Sequence, residues 1–249
     1  MLLLLLACQA DPEPTGSETG DTATSDGCAG CLVGVESLGS FTRAYLQGLV
    51  DPRVELDYET EGGRVATATV TLPVGAEPPE DGWPIVANNH GTIGLDDPCR
   101  LSGTASGAGL AGLFGGRGAI GVAPDYIGLG GPGVHRYLDL DDEAFAVLDA
   151  LRAAEALAVA EGVPTSGRSA VVGLSQGGHA TLAAAAWHSR YAPELDIRAF
   201  GVAGPASVYA EHWSDGVAFP GSHMALHAML TWSFAEAEGA SLDGVWASG

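Results

Sequence analysis

The period of apolar and polar positions changes several times along the chain. Leu2 to Leu6 form a short apolar run, and Gln9 to Gly27, "QADPEPTGSETGDTATSDG", contains no large apolar residue and predicts a disordered acidic tether. Gly34 to Val50 reads as a short helix or lead-in. Val54 to Tyr58 and Arg64 to Leu72 read as strands; in the second, Val65, Ala68, Val70 and Leu72 sit among Thr67, Thr69 and Thr71, and Glu61-Gly62-Gly63 supplies a hairpin turn. From Trp83 the pattern switches. Apolar strands at Trp83 to Ala87, Ala119 to Ala123, Ala170 to Leu174 and Ile197 to Val202 are separated by helical segments at Gly103 to Gly115, Asp142 to Glu161 and Gly177 to His188. Such alternation predicts an α/β fold, a mostly parallel sheet with helices on both faces, entered through antiparallel strands. In the clearest helix, Asp142, Asp149, Arg152 and Glu155 share one stripe, expected to be a solvated face. Phe219 to Gly249 is a helical run without a strand.

Composition sharpens this picture. An apolar fraction of 46% over 249 residues is ample for one enzyme-sized domain. The formal charge of -21, with ten Arg and no Lys, argues against a nucleic-acid partner, whose phosphates need cationic side chains. Leu5-Leu6-Ala7-Cys8 looks like a bacterial lipobox, so Cys8 is the expected lipidation site, anchoring an exported lipoprotein to a membrane at the cell surface or periplasm. No basic residue precedes the run, and the run is shorter than usual. The expected organisation is 1–7 export signal remnant, 8–33 lipidated cysteine and tether, 34–207 α/β core, and 208–249 the beginning of a cap. Cys28, Cys31 and Cys99 favour disulfides over a zinc site or a redox pair in an exported chain.

The chemistry concentrates in "VVGLSQGGH", Val171 to His179, where Gly-x-Ser-x-Gly falls between a predicted strand and a predicted helix. That setting is the one a nucleophile elbow requires, with Ser175 on a tight turn that leaves no room for a Cβ at Gly173 or Gly177. Gln176 would offer a backbone N–H at the helix N-terminus, where the dipole favours a developing oxyanion. A second donor is expected from the loop after an earlier strand, "NNHGTIG", with the N–H of Thr92 as the choice. His90 and Gly91 would support that loop, His90 shaping it rather than transferring a proton. His179, one turn beyond Ser175, reads as packing or pocket wall.

Three ordered motifs, "NNHGTIGLDDPC", "GVAPDYIGLGGPGVHRYLDLDDEAFAVLDALRAAEAL" and "VVGLSQGGHATLAAAA", resemble the α/β-hydrolase superfamily, most closely its secretory lipase group of the Candida lipase A type and bacterial lipase/esterase relatives. The resemblance spans about Trp83 to Ser207. It implies an eight-stranded mostly parallel sheet, a Ser-Asp-His triad and hydrolysis of carboxylic esters by an acyl-enzyme on Ser175, with a small-molecule or lipid ester as substrate and no cofactor. The triad acid follows the nucleophile in this superfamily, so Asp125 is expected to be a structural turn residue. The triad acid and histidine are not recognisable after Ser175. The expectation is a C-terminally truncated chain that lacks the last strands, is inactive by itself, and ends in the start of a helical cap. His212 and Asp215 could complete a nonstandard triad only by folding back over Ser175. His223 and His227 lack the glutamate of a zinc protease motif and read as core or lid residues, so no metal is expected. The same architecture serves serine peptidases and acyltransferases, and a surface lipoprotein with a degenerate triad would share the motifs.

Overall fold

A computed structural model of the chain describes residues 29–30, 32–38, 50–60, 64–73, 76–115, 117–206 and 222–243. Cys8, the tether, Cys28, Cys31, the Glu61-Gly62-Gly63 turn, His212 and Asp215 lie outside the described residues. Among the described residues, seven strands form one sheet: β1 (Leu32–Leu38), β2 (Val50–Thr60), β3 (Arg64–Pro73), β4 (Trp83–Asn89), β5 (Ile120–Pro124), β6 (Thr165–Leu174) and β7 (Asp196–Ala203). Their order is β1-β2-β3-β5-β4-β6-β7. The first three strands and the β3–β5 pair are antiparallel, whereas β5, β4, β6 and β7 run parallel. The expected antiparallel entry and parallel body are both present. Gly34 to Leu38, the beginning of the segment expected to be a short helix or lead-in, is strand, held by pairing with β2.

Among the described residues, four α-helices accompany the sheet: α1 (Ala105–Gly115), α2 (Leu140–Ala160), α3 (Gln176–Tyr191) and α4 (Ser222–Glu238). In β3, the alternation of Ala66, Ala68, Val70 and Leu72 with Thr67, Thr69 and Thr71 buries both sets. The aliphatic set joins Ile120 and Val122 of β5 and Leu148, Leu151 and Leu157 of α2 in the main core. Each such leucine contributes roughly 2 kcal/mol by leaving water. The threonine set lies beneath α1, whose composition follows from how closely it packs: a Cβ on Gly121 would stand 1.8 Å from the Ala111 carbonyl and 2.9 Å from Thr71 Oγ1. Larger residues would lift helix from sheet.

α2 begins at an N-cap, Asp139, whose carboxylate accepts from the Asp141 and Asp142 amides. The stripe of Asp142, Asp149, Arg152 and Glu155 is not a solvated face. Asp142 and Asp149 are 6% and 0% exposed, because α2 is covered by α3 and by the β2–β3 ribbon. Asp149 accepts from Arg152 Nη1 at 2.6 Å and from the Tyr191 hydroxyl at 2.7 Å; Arg152 also reaches Glu194 and the Tyr191 carbonyl. Asp142 pairs with Arg64 at 2.6 Å, and Glu155 accepts from Thr165 Oγ1. The charges tie two helices and two strands together rather than meeting water. Cys99 is disulfide-bonded, in line with the disulfide reading of the cysteines.

Candidate active site

The parallel strands β4 and β6 end side by side, Asn89 opposite Gly173, and the two sequence motifs leave the sheet at that edge. Between β6 and α3 a single residue turns the chain. Ser175 has φ 59 and ψ -120, one of two non-glycine residues with positive φ among the described residues. Three backbone hydrogen bonds hold it there: its N–H donates to the Ala203 carbonyl at 3.0 Å, and its carbonyl accepts from His179 and Ala206. The tightness of the turn explains its glycines. A Cβ on Gly173 would lie 2.0 Å from the Gly177 carbonyl oxygen, and one on Gly177 would lie 2.1 Å from that of Asn89. Ser175 itself is exposed.

Gln176 is the first residue of α3, so its N–H has no acceptor within the helix. The loop after β4 passes beside the elbow: a Cβ on Gly91 would stand 3.7 Å from that of Ser175. Thr92 follows, its hydroxyl 2.7 Å from the Tyr137 hydroxyl. His90 is buried beneath this loop, its Nδ1 donating to the Gly91 carbonyl at 2.8 Å and its ring 4.4 Å from that of Tyr126, whose hydroxyl donates to the His90 carbonyl. Burial holds His90 below the usual histidine range against the opposing pull of Asp125. Asp125 accepts from the amides of Leu101 and Ser102 and from the Thr67 hydroxyl, and so braces the chain after β5.

A buried polar network that the sequence did not disclose surrounds the Gln176 side chain. Its amide nitrogen donates to Glu143 Oε1 and to His135 Nε2, both at 3.0 Å. His135 must therefore present an unprotonated Nε2, which fits Nδ1–H donation to the Ile127 carbonyl. Burial and the neighbouring His90 hold His135 down at about 4. Glu143, fully buried, accepts from His179 Nδ1 at 2.6 Å. Burial pushes the Glu143 carboxyl up, against the hydrogen bonds from His179 and Gln176. The contacts link residues 33 and 41 positions apart, and the only sequence signal was a histidine in a glycine-rich loop and a third acid at the start of α2.

Among the described residues, no side chain hydrogen-bonds the Ser175 hydroxyl, and no group of His, Cys, Asp and Glu could hold a metal ion. No described helix is long and apolar enough to cross a membrane. A crevice of about 590 Å³ lies between Arg64, Ile127, Arg136, Phe145 and Glu236; neither Ser175 nor Thr92 lines it.

A strand-turn-helix with a strained serine at the end of a parallel strand, on a sheet of this order, defines the α/β-hydrolase fold. Within that fold the chain is similar to the secretory lipase group: the secretory lipase family model matches residues 112–219, which include the elbow. Among solved structures, the rice cell wall degrading esterase LipA from Xanthomonas oryzae is 25% identical at a TM-score of 0.58, over 68% of this chain and 49% of that one. A protein of Legionella pneumophila superposes at 0.69 with 24% identity, covering 84% of this chain and 61% of its own. Candida antarctica lipase A superposes at 0.62 with 16% identity, over 85% and 50% respectively, and shows the fold alone. The chain thus spans about half to three-fifths of the length of these structures. No curated protein matches it.

Proposed function

We propose that the protein is a serine hydrolase of carboxylic esters in which Ser175 is the nucleophile. The observation that carries the reading is the backbone of Ser175, strained, fixed by three hydrogen bonds and exposed at the mouth of the β4–β6 edge. Strain at a non-glycine residue persists only where its surroundings over-determine it, and it clusters where function needs it. Attack of the Ser175 hydroxyl on the ester carbonyl yields a tetrahedral oxyanion. The N–H groups of Gln176 and Thr92 receive it, the first at the positive end of α3. Collapse expels the alcohol and leaves an acyl-serine, which water hydrolyses to the acid. The base and acid that activate Ser175 come, in this reading, from outside the described residues. Esters are favoured over peptides because the family model and the Xanthomonas structure belong to lipases and esterases.

Hydrolysis of a p-nitrophenyl ester by the full-length gene product, abolished by Ser175→Ala, is the expected result. Turnover that survives the substitution would remove Ser175 from the mechanism. Ser175-dependent turnover by the 249-residue chain itself would place the base within these residues.

The export reading rests on the lipobox-like Leu5-Leu6-Ala7-Cys8 and on the secretory character of the matched family. Two or more acyl chains on Cys8 would hold the protein at a membrane surface. Expressed in a bacterium, it is expected to enter the detergent phase on Triton partitioning, and Cys8→Ser to return it to the aqueous phase. Equal partitioning of both would refute the anchor.

A further inference from the structure

Five consecutive residues, His135 to Asp139, link the side chains of both proposed oxyanion-hole residues to α4. His135 accepts from the Gln176 side chain at 3.0 Å. Arg136 pairs with Glu238 of α4 at 2.6 Å. Tyr137, fully buried, reaches both ways: its hydroxyl meets the Thr92 hydroxyl at 2.7 Å, and its N–H donates to Ser233 Oγ of α4 at 3.2 Å. Ser233 is itself fully buried and donates to the Leu230 carbonyl, so its oxygen is directed and not free to rotate away. Asp139 caps α2, which carries Glu143, the second anchor of Gln176.

Between these contacts sits Leu138 at φ 60, the other non-glycine residue with positive φ among the described residues. A bulky side chain in that region is strained, and the strain is sustained here by bonds on both sides. The segment therefore behaves as a clasp with fixed geometry. Its inner residues hold the side chains of Gln176 and Thr92, whose N–H groups are the proposed donors, and its outer contacts belong to α4. A donor contributes to rate only if it is aimed where the oxyanion forms, and misplacement by about an ångström costs on the order of a hundredfold.

We propose that His135 to Asp139 is a positioning clasp in which Tyr137 fixes Thr92, and with it the second oxyanion donor, in register with the seating of α4 through Ser233. The inference rests on the function proposed above. Thr92 has no strand or helix of its own to hold it, since the loop after β4 is irregular. Tyr137 supplies that support from the cap side, so cap and oxyanion loop move as one unit.

The test is a double-mutant cycle in the full-length gene product, using p-nitrophenyl butyrate. Tyr137→Phe keeps the ring and removes the hydroxyl; Thr92→Val removes its partner and keeps the N–H. Each is expected to lower kcat about tenfold with KM within about twofold, since an oxyanion donor acts on the transition state. The double variant is expected to lose no more than the worse single one, because both break one contact. Ser233→Ala is expected to lower kcat in the same way, and it carries the test from the cap side should Tyr137→Phe fail to fold. Losses that multiply, or an unchanged kcat in Tyr137→Phe and Ser233→Ala, would overturn the clasp while leaving Ser175 in place. Absence of any Ser175-dependent turnover in the unsubstituted protein would bring down both.

Discussion

The elbow stores energy at one residue. A non-glycine residue at the Ser175 geometry costs about 1–3 kcal/mol, which the surrounding hydrogen bonds offset. Ser175→Ala removes the hydroxyl but keeps the strain, whereas Ser175→Gly removes both. Glycine also frees the unfolded chain, which takes back up to about 1 kcal/mol. Ser175→Gly is accordingly expected to melt about 2–4 °C above Ser175→Ala, a net difference of about 1 kcal/mol in a chain of this size. Thermal unfolding of the two variants decides it; a Ser175→Gly midpoint at or below that of Ser175→Ala would mean that the strain is no larger than the roughly 1 kcal/mol that glycine takes back. The serine was legible because its glycines and flanking periods are local. His135, Tyr137 and Glu143 were not, because their partners are brought together only by the sheet.

Periodicity is informative about which residues of an element share a face and silent about what covers that face. The strands and helices from Trp83 onward lie where the pattern put them, β6 beginning five residues earlier, and Phe145, Leu148, Leu151 and Ala154, the apolar positions of α2, lie in the core. Its charged side was misread because α3 packs across it. β1 was misread for a related reason: Leu32–Leu38 contains Gly34 and Ser37, poor strand formers, and its pairing with β2 overrides them. The buried stripe has a measurable consequence. Arg152→Ala takes the cation away from the fully buried Asp149 carboxylate, which then carries its charge without an Arg152 counter-ion, and is expected to cost about 3 kcal/mol in urea unfolding. Replacing both, Asp149→Leu with Arg152→Met, is expected to recover most of it, since the desolvated charge is then absent. A loss below about 1 kcal/mol for Arg152→Ala would mark the pair as no better than a surface one.

At the scale of the whole molecule, a chain of charge -21 gains when acid titrates its surface carboxylates and self-repulsion falls. Glu143 adds to that trend. Its folded pKa lies above the unfolded value, so its buried charge penalises folding above that pKa, and the penalty is relieved as pH falls towards 4.5. His135 works in the opposite direction. Held at about 4 against 6.5 when exposed, it leaves the unfolded state binding more protons between those values. Its contribution is complete above pH 6.5 and is lost as pH falls to about 4, by up to about 3 kcal/mol. The structural event is specific: a protonated Nε2 would point a hydrogen at the Gln176 amide that now donates to it. His135→Gln removes this titration and leaves the surface and Glu143 carboxylates in place, so their effects cancel in the comparison. The variant is expected to be less stable than the parent at pH 7, with the gap closing by up to about 3 kcal/mol between pH 6.5 and 4 in urea titrations. A gap that stays constant across that window would show that His135 titrates in the folded chain as it does when exposed, and that its burial does not hold it neutral.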